Sequence, residues 1–281
     1  MAFEWMLLVL SWQPQADGLS AVYEKEWERR KAVHGEASRE AVAAARDWGL
    51  FVLGQRDFQA AIRILEQTQR LAPDEGIGEA LAGAYLGAGR RRGAAAQWEQ
   101  LVVSADHGRA ARALSARGDL EDNRPQACGW YEKAIARQAS IARWNDLGLC
   151  RQEQGKAGEA ITLFERALQL DPGRKDAETG VTLNNLASVL LEAGRLGEAE
   201  RRQREALALL ERTLGARHAR TALALRNLAD IVRAGGRMAE AKRLYTRALE
   251  VFQARLGPEH PWTRETEEAL VSAARPQGAA R

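Results

Sequence analysis

The chain has 281 residues, of which 46% are hydrophobic and 28% charged, and its formal net charge is +3. This apolar content allows a sizeable core and is too high for an intrinsically disordered protein. Alanine, leucine, arginine and glutamate dominate, which favours an all-helical chain. Basic and acidic residues are interleaved, and dense basic runs are limited to three residues, as in Arg90–Arg92. This charge pattern is typical of solvated helices and argues against a nucleic-acid partner.

Residues 1–18 contain a short apolar segment, Met6–Leu10. Glu4 interrupts it, no Lys or Arg precedes it, and Pro14–Ala16 is a poor cleavage site. It is also too short for a stable membrane span. Two interpretations stay open: a secretory signal, or a segment that caps the first helices. We expect a cytoplasmic location, with an exported or periplasmic location as the alternative if residues 1–16 act as a signal.

A leading helix is predicted over residues 19–35. Its apolar positions are Val22, Trp27 and Val33. His34–Glu36 breaks this pattern, and amphipathic helix pairs then follow one another along the chain.

The first two pairs share one pattern: a large and a small residue in the first helix, then a small and a large residue in the second. These positions are Trp48–Gly49, Ala61 and Leu65 in the first pair, and Leu81–Ala82, Ala94 and Trp98 in the second. The third pair is less regular. We expect a short first helix over residues 109–117 and an inserted loop over residues 118–125.

The fourth pair carries the clearest motif. It reads Trp144-x-x-Leu147-Gly148, a break at Gly155, Ala160-x-x-x-Phe164-x-x-Ala167, then Leu170-Asp171-Pro172. Proline ends the helix because it has no N–H for the ladder and restricts the residue before it. This motif resembles that of the tetratricopeptide repeat (TPR) family, except that Arg151 stands where a tyrosine is expected.

The fifth and sixth pairs are near copies of each other, 42 residues apart. Asn185 recurs as Asn227, and Gly194 recurs as Gly236. Their length and the loop Leu256–Pro261 resemble the repeats of kinesin light chain. Residues 263–274 predict a final helix whose outward positions are charged, as suits a solubilising cap. These positions are Arg264, Glu265, Glu267 and Glu268, and residues 276–281 are expected to fray.

The resemblance implies an all-α, right-handed superhelical solenoid of antiparallel helix pairs. About six pairs and a C-terminal capping helix occupy residues 36–275. The concave wall of such a solenoid is built from the first helices, and it suits an extended peptide or a helix of a partner protein. The expected function is therefore a protein–protein interaction scaffold, and the alternative is an exported or envelope-associated bacterial assembly factor. The sequence does not indicate an oligomeric state.

Polar residues on the first helices predict a peptide-binding groove. They are Asn145, Asn184, Asn185, Ser188, Arg226, Asn227, Asp230 and Arg233. Asparagine both donates and accepts hydrogen bonds, so a row of asparagines can hold a peptide backbone. Asn185 and Asn227 match the asparagines that kinesin-light-chain-like repeats direct at bound peptide. The alternative is that these asparagines stabilise the stack.

The two arginines of the groove also have two interpretations. Arg226 and Arg233 could pair with acidic side chains or a C-terminal carboxylate of a ligand. Alternatively, they belong to a solvated face on which Asp230 neutralises them.

The residue types that often form catalytic or metal sites do not predict such a site here. Cys128 and Cys150 form no CxxC, so we expect two small buried hydrophobic residues, with a disulfide or metal site as the alternative. His218 and His260 recur with the repeat and are expected to structure loops. The chain lacks HExxH, GxSxG and phosphate-loop motifs. We therefore expect no enzyme activity, no metal and no cofactor.

Overall fold

The computed structural model describes residues 16–274, and each regular element in that range is an α-helix. The predictions for the apolar segment before residue 16 and for the tail after residue 274 lie outside the described residues. The helices are α1 Ala16–His34, α2 Arg39–Gly54, α3 Phe58–Leu71, α4 Glu75–Gly87, α5 Arg91–Leu101, α6 His107–Leu120, α7 Arg124–Arg137, α8 Ile141–Glu153, α9 Ala157–Gln169, α10 Ala177–Glu192, α11 Leu196–Leu214, α12 Ala219–Ala234, α13 Met238–Leu256 and α14 Pro261–Ala274.

The chain divides into two compact units, one ending at Leu120 and the other beginning at Glu121. Within each unit, consecutive helices pack on each other across short connections. The predicted all-α fold of stacked antiparallel helix pairs is confirmed. Unit 1 comprises α1–α6, and unit 2 comprises α7–α14.

Local sequence signals explain where the helices begin and end. Ser140 precedes α8, and its hydroxyl accepts a hydrogen bond from the backbone N–H of Arg143, as an N-cap does. Gly155 lies between α8 and α9 with φ +74°, a backbone conformation that glycine adopts without strain. Gly194 has the same role between α10 and α11, with φ +73°.

The core of each unit lies between its helices and includes predicted residues such as Leu65 and Phe164. In unit 1, Leu65 of α3 packs with Ile77 and Leu81 of α4. In unit 2, Phe164 of α9 is fully buried among leucines of α10 and α11. Tyr245 of α13 packs against α12 in the same way. In α1, Trp27 is buried, whereas Val22 and Val33 are 59% and 64% exposed.

The inserted loop predicted at residues 118–125 is wrong. Helix α6 runs on to Leu120, and only residues 121–123 separate it from α7. Gly118 is buried inside α6. Gly118 is therefore a packed helical residue and does not end the helix.

The prediction of two unlinked cysteines is also wrong. Cys128 of α7 and Cys150 of α8 form a disulfide, with their Cα atoms 5.7 Å apart. Both side chains are buried, at 1% and 3% exposure. The two positions are equally far from residue 139, in the connection between the helices. An antiparallel hairpin brings such positions together.

Arg151 replaces the expected tyrosine by forming ion pairs between helices. Its guanidinium contacts Glu132 of α7, and its Nε lies 3.3 Å from Glu159 of α9. The polar side chain thus links α8 to the helices that precede and follow it.

Candidate peptide-binding wall

Adjacent first helices of unit 2 contact each other along one face. Helix α8 packs on α10, α10 on α12, and α12 on α14. Polar pairs cross these contacts: Gln152 Nε2 donates to Glu192 at 2.7 Å, and Arg220 donates to Glu178 at 3.0 Å. We call the eight polar residues predicted for the groove the wall: Asn145, Asn184, Asn185, Ser188, Arg226, Asn227, Asp230 and Arg233.

Four asparagines of the wall form a continuous chain of side-chain hydrogen bonds, which we call the amide ladder. Asn227 Nδ2 donates to Asn184 Oδ1 at 3.0 Å. Asn184 Nδ2 donates to Asn185 Oδ1 at 3.3 Å, and Asn185 Nδ2 donates to Asn145 Oδ1 at 2.9 Å. The ladder therefore connects α12, α10 and α8.

The asparagines differ in how far they reach the surface. Asn145 and Asn184 are 7% and 5% exposed, so they lie toward the core and not in an open groove, contrary to the predicted groove positions. Asn185, Asn227 and Ser188 are half-buried. These hydrogen bonds between helices agree with the alternative that the asparagines stabilise the stack. Their partners are side-chain amides and not backbone groups.

The charged residues of the wall have partners within the protein. Arg226 donates to Glu265 of α14 at 2.6 Å, and Arg233 lies 3.4 Å from Asp230. Asp230 also accepts a hydrogen bond of 2.5 Å from the hydroxyl of Tyr245. Burial raises the pKa of that hydroxyl well above its ordinary range, and the bond to Asp230 acts in the same direction. The wall thus has little uncompensated charge.

A fully buried residue, Gln203 of α11, was missed by the sequence analysis. Its Nε2 donates to Asn184 Oδ1 and to the backbone carbonyl of Ala224, both at 2.8 Å. The signal that could have found it is the 42-residue period, which aligns Gln203 with Tyr245. A polar side chain at an aromatic core position indicates a specific partner.

The two repeating histidines structure the loops before α12 and α14, as predicted. His218 is the N-cap of α12, and its Nδ1 accepts from the backbone N–H of Arg220 at 3.1 Å. His260 accepts in the same way from Trp262 at 3.2 Å. Each imidazole therefore organises the start of a first helix.

Residues 16–274 contain neither a metal site nor a membrane span. No group of three or more His, Cys, Asp or Glu is placed to hold a metal ion. No helix in this range combines the length and apolar character needed to cross a membrane.

A family model for the tetratricopeptide repeat matches the chain at three overlapping places. They are residues 138–212, 178–254 and 220–278, which together cover half of the chain. No curated protein matches the chain significantly.

Solved structures show similarity in fold at low sequence identity. A chain of the APC/C hetero-tetramer Cut9–Hcn1 superposes with a TM-score of 0.64 at 15% identity; the match covers 92% of this chain but only 47% of that one. PilW, described as a type IV pilus biogenesis factor, gives 0.60 at 17% identity, covering 82% of this chain and 100% of PilW. A tetratricopeptide repeat protein from Parabacteroides merdae gives 0.61 at 15% identity, covering 92% and 94%.

Proposed function

The chain belongs to the tetratricopeptide repeat family, and from this premise we propose that it is an interaction module that binds an extended segment of a partner protein along the wall. Neighbouring helices in such a stack lie about 8–10 Å apart. An extended peptide rises about 3.3 Å per residue, so each first helix would meet roughly every third residue.

The amide ladder is the observation that supports this proposal most. It places Asn185 and Asn227 in equivalent positions of adjacent repeats, both half-buried. A carboxamide has two N–H donors and two acceptor lone pairs. In the half-buried Asn185 and Asn227 the ladder uses only part of this capacity, and the remainder can bond to a peptide backbone.

The paired charges favour recognition through hydrogen bonds and shape. Because Arg226 and Arg233 already contact carboxylates, they are poor sites for phosphates. We therefore propose a protein partner and no nucleic acid. The proposed module has no catalysis of its own, in keeping with the general role of this repeat as a scaffold.

Affinity capture with the full chain tests the proposal. The wild type is compared with Asn185→Ala/Asn227→Ala, and with Thr246→Ala/Gln253→Ala on exposed positions of α13 as the matched control. We expect the wild type and control to retain a common partner that the wall variant loses, while circular dichroism shows all three helical. A partner retained equally by the wall variant would contradict a site at these asparagines.

The disulfide supports a second candidate, an exported assembly factor. Disulfides persist in oxidising compartments and are rare in the cytosol. The Cys128–Cys150 bond therefore favours the exported alternative over a cytoplasmic location. The resemblance in fold to the pilus biogenesis factor PilW is compatible with this role.

Peptide mapping of protein taken from its own host, with free thiols trapped at lysis, tests this candidate. An exported protein should yield a peptide linked through Cys128 and Cys150. Complete alkylation of both thiols, together with an intact Met1 or Ala2, would contradict export.

A further inference from the structure

The carbonyl oxygen of Ala224 determines the direction of hydrogen-bond donation along the amide ladder. A backbone carbonyl can only accept hydrogen bonds, so the Gln203 atom that faces it must be the amide nitrogen Nε2. The same nitrogen lies 2.8 Å from Asn184. The facing atom of Asn184 must therefore be its oxygen, Oδ1.

This orientation propagates through the remaining bonds. With Oδ1 of Asn184 directed at Gln203, its Nδ2 is directed at Asn185, which accepts through Oδ1. Asn185 then donates through Nδ2 to Asn145. On the other side, Asn227 can approach Asn184 Oδ1 only as a donor. Each amide is thereby held in one of its two possible orientations.

Gln203 is suited to this role and poorly suited to packing. It is fully buried, and its Oε1 has no hydrogen-bond partner. A buried polar atom without a partner destabilises a fold. The aligned positions of the flanking repeats hold Phe164 and Tyr245, which fill the same space with aromatic rings.

We infer that Gln203 is a positioning residue that sets the donor and acceptor pattern of the wall, so that Asn227 presents its Oδ1 to a backbone N–H of the bound segment. This inference rests on the proposed peptide-binding function. It specifies the ligand as an extended segment with a free N–H opposite Asn227. Proline at that position of the ligand would be rejected because it lacks the donor.

The test is nuclear magnetic resonance of side-chain amide groups in the full chain, which requires no ligand. In the wild type, we expect an Nδ2 proton of Asn227 and one of Asn185 to exchange with water more slowly than those of the exposed Gln253. Gln203→Met should shift the amide signals of all four ladder asparagines and abolish the slow exchange at Asn227. Gln253→Met, on α13, is the matched control and should leave them unchanged.

Several outcomes would overturn the inference. In the wild type, free exchange of both Nδ2 protons of Asn227 would show that it does not donate to Asn184. This measurement decides the orientation even if Gln203→Met fails to fold. Unchanged ladder signals in a folded Gln203→Met variant would show that Gln203 does not position the wall. If the expected shifts occur but affinity capture finds no role for Asn185 and Asn227, the ladder orientation stands and the peptide-binding proposal fails.

Discussion

Gly148 of α8 lies directly against the ring of Phe164 on α9. A Cβ atom added there would lie 2.5 Å from Cε1 of Phe164, whose ring is fully buried. We expect Gly148→Ala to lower the free energy of unfolding by about 1–3 kcal/mol, the usual cost of overpacking. Chemical denaturation measures this. Gly158→Ala, in α9 where a Cβ meets no atom within 4 Å, is the control, and an equal loss there would contradict the steric explanation.

Asp171 makes stability depend on pH. Its Oδ2 accepts hydrogen bonds from the hydroxyl of Thr179 at 2.7 Å and from the backbone N–H groups of Asp176 and Lys175. These bonds, first that of Thr179 and then that of Asp176, lower the pKa of the carboxyl group below its ordinary value. The stabilisation is therefore present above the unfolded-state pKa of about 3.9 and is lost as the pH falls through the lower folded-state pKa.

Thr179→Val tests this dependence because it removes the largest cause of the shift. We expect the melting temperatures of wild type and variant to differ most at neutral pH and to converge as the solution is acidified. Melting curves recorded across the acidic range measure the difference. A gap that stays constant over that range would show that the hydroxyl acts independently of the Asp171 charge.

At the scale of helices, the disulfide holds α7 against α8 at the start of unit 2. Cys128 and Cys150 are 22 residues apart. Closing a loop of this length stabilises a fold by about 3 kcal/mol in the chain-entropy model. We expect a reducing agent to lower the denaturation midpoint and to speed hydrogen exchange in α7. A Cys128→Ala/Cys150→Ala variant should not respond to the reductant, and an equal response in this variant would assign the effect to another cause.

The spacing between packed positions on paired helices predicts the fold better than single residues such as Gly118 do. Gly148 and Ala160 are twelve residues apart, and so are Ser115 and Ala127 at the same positions of the third repeat. This common spacing leaves no room for the loop predicted around Gly118. The disulfide could be predicted only once the register of the α7–α8 hairpin was known, since the spacing of the cysteines matches no local motif.

At the scale of the chain, the 42-residue period was sufficient to place α10 and α12, with Asn185 and Asn227 on them. It was not sufficient to show which amides face the core, because that depends on the rotation of each helix and on its neighbours. Asn184 is buried although Asn185, beside it in the chain, is half-buried. The role of Gln203 depends on Ala224 O, a backbone atom that no residue pattern reveals.

Site-specific photo-crosslinking in the native host tests most directly whether partner segments lie along the wall of unit 2. A benzophenone amino acid replaces Ser188, which is half-buried between Asn185 and the end of α10, or Arg243, which is exposed on the second helix α13. We predict a crosslinked partner from position 188 and none from position 243, with the crosslink lost when Asn185→Ala and Asn227→Ala are added. Crosslinking from position 243 alone, or from position 188 regardless of these substitutions, would contradict the claim.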